Sequence, residues 1–227
     1  MAVLAERSNH HGELIVVDNN STDDTASIAR EQGATVVFEP VNQIARARNR
    51  GAACAQGDAL VFLDADSSCS SELLEQVLDL LEAGATVGGG SVIAPDRSID
   101  GAALRGLELW NQIALRAKLA AGCFVFCRKD AFTDVGGFNA RVYAGEEIYL
   151  SRALKRWGRK NGMGFHIATI DPVVTSVRKL DWYSPVQLVR QTLMVLIPGA
   201  LYSRRFCKTW YDHGSRDKVG ESRETDS

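Results

Sequence analysis

Two carboxylates, Asp64 and Asp66, follow an apolar run at residues 59–63 and are separated by one alanine. A short apolar and β-branched run predicts a buried strand, and ligands bind beyond the carboxyl ends of strands in open α/β sheets. Side chains two residues apart in extended chain point the same way, so both carboxylates can face one cation or one polyol. The alternative is structural: Asp64 begins a turn and Asp66 caps the helix that starts near Ser70.

Strand and helix signals alternate around this pair. Residues 13–18, 34–39 and 59–63 have strand character, and residues 42–56 have helical character. This alternation predicts an α/β fold, a single Rossmann-like domain with a mixed, mostly parallel central sheet that helices cover on both faces.

Length and charge limit the classes of protein to consider. The chain has 227 residues, of which 45% are hydrophobic, enough for one substantial core. We expect one domain at residues 1–213 and a disordered tail at 214–227, which is almost wholly polar and small. The 26 basic and 28 acidic residues give a formal charge of −2, so no general field attracts nucleic acid, which we exclude as a partner.

Cysteine usage and apolar runs predict a cytoplasmic location. The five cysteines form no CxxC pair and are expected to be free thiols in a reducing compartment. The N-terminus lacks the pattern of a secretory signal, and the apolar run at 193–201 is about half of the roughly 20 residues that a membrane span needs. The region 182–211 mixes aromatic, apolar and basic residues, which suits peripheral contact with the inner face of a membrane or a terminal helix docked on the core.

An ordered set of motifs extends over residues 13 to 158. They read VVDNNSTDDT at 16–25, ARNRG at 47–51, GD at 57–58, FLDAD at 62–66, FCRKDAF at 126–132, VGGF at 135–138 and GEEIYL at 145–150. This set resembles glycosyltransferase family 2, which has the GT-A fold. By this resemblance, residues 13–85 form the nucleotide-binding half and residues 86–213 the acceptor half.

The resemblance implies an inverting glycosyltransferase that moves a hexosyl or related sugar from a nucleotide-diphosphate donor to an acceptor hydroxyl. The acceptor would be a saccharide or a lipid-linked molecule, in envelope or polysaccharide synthesis. The DxD motif would bind Mn²⁺ or Mg²⁺, with Asp66 as the metal ligand and Asp64 near the ribose or sharing the metal. The implied nucleotide-sugar-binding residues are Asp18, Asn20, Arg48, Asn49 and Asp64.

Glu146 and Glu147 occupy the place of the family's usual Glu-Asp pair. The resemblance assigns Glu147 as the base that deprotonates the acceptor hydroxyl, a role worth roughly 10²–10⁴-fold in rate, and Glu146 as a supporting acid. The alternative is a capping role, because the helix dipole favours acidic residues in a first turn. The upstream Gly136-Gly137-Phe138 motif favours catalysis.

One family feature has no counterpart in this sequence. Family members usually open with a strand that carries Pro and Asn-Glu and lies between the strands found here at 13–18 and 59–64. The explanations are a start site placed too late, which we favour, a degraded gene, or direct pairing of the two flanking strands. The alternative functions are therefore a catalytically silent fragment that acts as a binding module and, third, a nucleotidyltransferase, which leaves residues 136–150 unexplained.

Overall fold

The computed structural model describes residues 12–178, Tyr202 and Cys207. The tail at 214–227 lies outside the described residues, as does the region 182–211 apart from Tyr202 and Cys207. None of the helices in the described part is long and apolar enough to cross a membrane. The strands are β1 (Ile15–Asp18), β2 (Thr35–Phe38), β3 (Ala59–Leu63), β4 (Ser67–Ser68), β5 (Thr86–Pro95), β6 (Phe124–Arg128) and β7 (Gly164–Thr175). The helices are α1 (Thr25–Glu31), α2 (Ile44–Cys54), α3 (Ser71–Glu82), α4 (Gly101–Ala117), α5 (Lys129–Asp134) and α6 (Glu146–Lys160).

These strands form two sheets. β1 and β2 pair in parallel, and the other strands form a sheet in the order β3-β6-β5-β7-β4. In this larger sheet only β5 and β7 are parallel, so the expectation of a mostly parallel sheet was wrong, although the fold is α/β. The reason lies in α4, which returns the chain to β6 from the side on which β5 ends, so that Gly90 pairs with Val125 and Gly88 with Cys127 in antiparallel register.

The strands on either side of the expected missing strand do not pair with each other. Among the described residues, β1 pairs only with β2, and β3 pairs only with β6. Direct pairing of the flanking strands was therefore wrong as an explanation. Instead, Glu13 near the start of β1 accepts hydrogen bonds from the backbone nitrogens of Gln56 and Gly57, just before β3. Thus α2 and the turn after it connect the two sheets.

Helices pack on both faces of the larger sheet because the side chains of β6 alternate. Val125 and Cys127 point into a cluster with residues of α2 and α6, and Phe124 and Phe126 point into a second cluster. The second cluster also contains the buried stripe of α3, formed by Leu73, Val77 and Leu81. The spacing of this stripe, four residues at each step, is the period of an amphipathic helix.

Gly158 lies in α6 where a side chain has little room. A Cβ there would lie 2.8 Å from the Met163 carbonyl oxygen and 2.8 Å from Val87 Cγ1, whereas nothing lies within 4 Å of a Cβ on Gly106 in α4. We expect Gly158→Ala to lower the free energy of unfolding by about 1–3 kcal/mol through overpacking. Gly106→Ala should raise it by about 0.5–1 kcal/mol because alanine is the better helix former. Urea denaturation measures both, and equal shifts in midpoint would contradict the close packing of α6 on β5.

Candidate active site

The DxD residues lie at the end of β3, in a tight turn. The Asp64 backbone nitrogen donates to the Cys123 carbonyl oxygen at 3.1 Å, and its carbonyl oxygen accepts from the Ser67 nitrogen at 3.0 Å. Asp66 is exposed, and within the described part of the chain its carboxylate has only a long contact of 3.5 Å with the Ser67 hydroxyl. The Ser176 nitrogen, just after β7, donates to the Asp66 carbonyl oxygen. The backbone of Asp66 is therefore fixed while its carboxylate faces solvent.

The capping role considered for Asp66 was wrong. The N-cap of α3 is Ser70, whose side-chain oxygen accepts from the Leu73 nitrogen at 3.0 Å. Ser70 has the extended backbone typical of an N-cap and supplies the partner that a first-turn N–H needs. The turn considered for Asp64 does exist, but the Asp64 side chain takes no part in the hydrogen bond that closes it.

Arg48 connects this turn to the second half of the chain. From α2, its Nη2 donates to Asp64 Oδ1 at 2.6 Å and to the Gly122 carbonyl oxygen at 2.6 Å, and its Nη1 donates to Glu146 Oε1 at 2.8 Å. Its Cζ lies 5.3 Å from the centre of the Phe138 ring. Only 10% of the side chain is exposed. Burial alone would lower the pKa of Arg48, but the charges of Asp64 and Glu146 raise it, so the guanidinium stays charged.

The two predicted catalytic acids begin α6, beside the Arg48 guanidinium. Gly145, with φ of 72°, turns the chain into the helix. Glu146 is 4% exposed, and burial raises its pKa, while Arg48 opposes that rise. The Glu147 carboxylate lies against Gly122, with its Cδ 3.5 Å from where a Cβ on that glycine would be. Gly122 therefore leaves space next to the acid.

Glu147 has the electrostatic setting of a base. Burial, and then the negative charge of Glu146, raise the pKa of Glu147 to about 7. A carboxylate with a pKa near neutrality can accept a proton during a reaction and release it afterwards. In the cluster as a whole, Arg48 faces the carboxylates of Asp64, Glu146 and Glu147, so negative charge is in excess. Such an excess favours a bound cation.

The residues predicted to contact the nucleotide are only partly brought together. Asp18 ends β1, and its Oδ1 accepts from the Ser21 nitrogen at 2.8 Å. Asn20 is exposed and has φ of 62°, the left-handed conformation that asparagine tolerates. Neither residue forms a hydrogen bond or ion pair with Arg48 or Asp64 in the part of the chain that is described. Their roles in nucleotide binding stay predictions.

Asn49 has a structural role in addition to the predicted one. Its Nδ2 donates to the Phe138 carbonyl oxygen at 2.8 Å, and its Oδ1 accepts from the Phe138 nitrogen at 2.9 Å. The preceding Gly137 has φ of 69°, and a Cβ there would lie 2.7 Å from Asn49 Oδ1. This close contact, with the positive φ, explains why position 137 is a glycine. Asn49 thus fixes the loop that places Phe138 against Arg48.

Two further amides, which were not predicted, hold distant backbone segments in place, and one of them, Gln43, joins the two halves. The Asn19 side chain donates to the Val41 carbonyl oxygen and accepts from the Gln43 nitrogen. Gln43 is buried and donates from Nε2 to the carbonyl oxygens of Ala140 and Val142. No pattern in a single sequence identifies such residues, because their partners are backbone atoms 22 to 99 positions away. Gly122, whose carbonyl oxygen anchors Arg48, was missed for the same reason.

The described residues do not form a complete metal site by themselves. Among them, no group of three or more His, Cys, Asp or Glu side chains is arranged to hold a metal ion. Mg²⁺ and Mn²⁺ prefer oxygen ligands and are often held by one or two carboxylates together with substrate phosphates and water. The exposed Asp66 carboxylate and the half-buried Asp64 fit that requirement.

The fold is that of the GT-A glycosyltransferases. The fold is similar to that of a mannosyltransferase, PcManGT from Pyrobaculum calidifontis, solved with GDP-Man and Mn²⁺: the TM-score is 0.61 and the identity 20%, over 88% of this chain and 55% of that one. It is also similar to glucosyl-3-phosphoglycerate synthase from Mycobacterium tuberculosis, solved with Mn²⁺, UDP-Glc and phosphoglyceric acid. Here the TM-score is 0.54 and the identity 22%, over 81% of this chain and 67% of that one.

Sequence comparison identifies the family. The sequence model of glycosyl transferase family 2 matches residues 3–136, which is more than half of the chain. The chain therefore belongs to this family. An uncharacterized glycosyltransferase from Mycobacterium tuberculosis is 41% identical over 71 residues, which cover 31% of this chain and 33% of the relative. The matched part is thus about a third of that relative's length. The family predicted from the motifs is confirmed.

Proposed function

We propose that this chain transfers a sugar from a nucleotide-diphosphate donor to an acceptor hydroxyl, with inversion at the anomeric carbon. One observation carries the proposal: Arg48 bonds both Asp64, at the end of β3, and Glu146, at the start of α6. It thereby brings the DxD turn of one half next to Glu147 of the other. A transferase needs such a junction because donor and acceptor must meet within about 3–3.5 Å.

On the acceptor side, Glu147 is the base. Its carboxylate removes the proton of the acceptor hydroxyl as the oxygen attacks the anomeric carbon on the face opposite the leaving nucleotide. Burial raises the pKa of Glu147, and the charge of Glu146 raises it further. Glu146 itself is held by Arg48 and is unable to turn toward an acceptor without breaking that bond. We therefore assign proton removal to Glu147 and a positioning role to Glu146.

On the donor side, Asp66 and the free oxygen of Asp64 would hold a divalent cation, Mn²⁺ or Mg²⁺. When bound, the cation neutralises the charge that grows on the leaving pyrophosphate. Arg48 holds Asp64 by one oxygen and so fixes the direction of the other. Both solved neighbours described above are complexes with Mn²⁺ and a nucleotide sugar, in one case GDP-Man and in the other UDP-Glc.

The remaining nucleotide contacts and the acceptor class follow from the family. Asp18 is proposed to accept a hydrogen bond from the base, with Asn20 beside it in the turn after β1. Arg48 and Asn49 are also proposed to bind the nucleotide sugar, and their hydrogen bonds to Asp64 and Phe138 fix their positions in the donor site. The proposed acceptor is a saccharide or a lipid-linked molecule, and the proposed pathway is envelope or polysaccharide synthesis.

Thermal denaturation with donors tests the proposal. We expect one of UDP-, GDP- or dTDP-sugars to raise Tm when Mn²⁺ is present and to have little effect without it. Saturation at 100 times Kd is worth about 2.7 kcal/mol, or roughly 5–10 °C for a chain of this size. Asp66→Asn should abolish the metal-dependent part. Asp58→Asn, at the opposite, exposed end of β3, is the matched control and should keep it. If the Mn²⁺-dependent rise in Tm persists in Asp66→Asn, the metal binds at another site.

A second candidate is a binding module without turnover. It is favoured by the separation of the two sheets, because β1 with Asp18 forms no strand hydrogen bonds with β3 among the described residues. In that case a donor would raise Tm in the presence of Mn²⁺, and no sugar would reach any acceptor or water. The nucleotidyltransferase alternative leaves Glu146 and Glu147 without a role, and no observation favours it.

A further inference from the structure

One face of α6 carries a continuous row of positive charge. Its members recur at the i, i+3, i+4, i+7 and i+8 positions, which share one side of a helix. They are Arg152, Lys155, Arg156, Arg159 and Lys160, here called the basic row. All are exposed except Lys155, which is half-buried. On a chain with a formal charge of −2, this is a local concentration of cations.

The described part of the chain has one carboxylate next to the basic row, that of Asp134, which lines a pocket with Arg156, Arg159 and Lys160 and accepts from Trp157 Nε1 at 2.9 Å. Within residues 12–178, no Asp or Glu forms an ion pair with any of its five members. Burial lowers the pKa of Lys155, and the positive charges of Arg152, Arg159 and Lys118 lower it further. The Lys155 ammonium donates instead to the Ala117 carbonyl oxygen at 2.7 Å, at the end of α4.

Helix stability accounts for only part of this row. Cations in the last turn of a helix interact favourably with its dipole, which explains Arg159 and Lys160. Arg152, Lys155 and Arg156 lie one to two turns earlier, where that effect has decayed. Nor do they stabilise the helix through pairs with acids, since the residues three and four positions before them, namely Ile148, Tyr149, Ser151, Arg152 and Ala153, are not acidic. These three cations need another explanation.

Apolar side chains are exposed on the neighbouring helix. In α4, Leu109 is 61% exposed and Ile113, four residues later, is 42% exposed. The end of α4 is fastened to α6 by the Lys155–Ala117 hydrogen bond and by that from the Ala120 nitrogen to Ser151 Oγ. Cations and exposed leucine and isoleucine, on two helices joined at the end of α4, match the composition of surfaces that lie in the headgroup layer of a membrane.

We propose that the basic row of α6, together with the exposed apolar residues of α4, docks this chain on a membrane surface rich in anionic lipids. Charge complementarity favours an anionic membrane as the partner, because each basic residue near an anionic leaflet adds its own attraction to the lipid surface. The exposed leucine and isoleucine favour lipid over a purely ionic partner such as a nucleic acid. Arg152 lies five residues after Glu147, about 7.5 Å along the helix, so the docked surface is near the proposed acceptor side.

Flotation with vesicles tests this inference separately from sugar transfer. We expect the chain to float with phosphatidylcholine vesicles containing phosphatidylglycerol, not with phosphatidylcholine alone, and to be released by salt. Arg156→Glu with Arg159→Glu should lower the partition coefficient at least about 10-fold, given roughly tenfold for each 1.4 kcal/mol and about 1 kcal/mol per cation. Arg30→Glu with Arg50→Glu makes the same change in net charge on exposed residues away from the row, and should change binding little.

Other results would overturn the inference. One is failure of the unmodified chain to float with anionic vesicles at low salt. Another is an equal loss of vesicle binding in the two double variants, which would mean that net charge alone causes the attraction. The acidic face of α3, with Glu72, Glu75 and Asp79, is a competing partner for the basic row of a second copy. Sedimentation velocity detects that case: a dimer at low salt that Arg156→Glu with Arg159→Glu dissociates, without vesicle binding, would assign the row to self-association. Circular dichroism confirms that both double variants are folded.

Discussion

Arg48→Met is expected to lower the free energy of unfolding by about 3–5 kcal/mol, the usual cost of removing one partner from a buried ion pair. The Arg48 side chain is 10% exposed and that of Glu146 is 5% exposed, so methionine leaves the Glu146 carboxylate buried without its cation. Asp64 is 40% exposed, and water will replace much of its lost bond. The Gly122 carbonyl oxygen also loses its donor.

Chemical denaturation of the unmodified chain, Arg48→Met, one control variant and one double variant measures this effect. Arg50→Met changes an exposed arginine two residues along the same helix and should cost less than about 0.5 kcal/mol. In Arg48→Met with Glu146→Leu, both charges are gone, and much of the stability should return because replacing both partners of a buried pair is often neutral. If the double variant is as unstable as Arg48→Met alone, the destabilisation comes from lost packing on Phe138 and not from an unpaired carboxylate.

The sequence located the carboxylates better than it located what holds them. Asp64 was predicted at a strand end and lies there, because an apolar run that stops at a charge marks the edge of a buried sheet. Glu147 was predicted at the start of a helix, and α6 begins one residue before it. Both predictions used short-range patterns, which depend only on the repeat of the local structure.

The contacts between distant segments had no such pattern. The placement of Arg48 near the nucleotide stays a prediction, and its partners Asp64 and Glu146, 16 and 98 residues away in sequence, were not predicted. The direction of β6 was also hidden, since alternating strands and helices look the same whether a helix crosses the sheet or returns to the same side. Which Arg pairs with which acid depends on tertiary packing, and periodicity carries no information about it.

Glu147→Gln should lower the rate of sugar transfer by about 10²–10⁴-fold, the usual contribution of a general base, and leave donor binding intact. Glutamine keeps the shape of the side chain beside Gly122 but no longer accepts a proton. Initial transfer rates and the Mn²⁺-dependent donor shift in Tm, measured on the same preparation, separate chemistry from binding. Glu31→Gln, an exposed residue at the end of α1, is the matched control and should retain full activity.

The pH dependence provides a sharper test of the same residue. A base acts when deprotonated, and the pKa of Glu147 is about 7, so kcat/KM should rise with pH, reach half its plateau near pH 7 and fall about tenfold for each unit below. Glu147→Asp should keep this rising limb at a lower plateau, since withdrawing the carboxylate by about 1.5 Å can cost about 10²-fold. In Glu147→Gln, kcat/KM should no longer rise with pH in this range.

Glu146→Gln distinguishes the two acids. Removing its charge removes one cause of the raised pKa of Glu147, so the limb should move to lower pH while a substantial rate remains. The amide oxygen can still accept from Arg48, which preserves the junction between the halves. A limb that disappears in Glu146→Gln and persists in Glu147→Gln would reverse the assignment and make Glu146 the base. Unchanged profiles in both would place the base outside the start of α6.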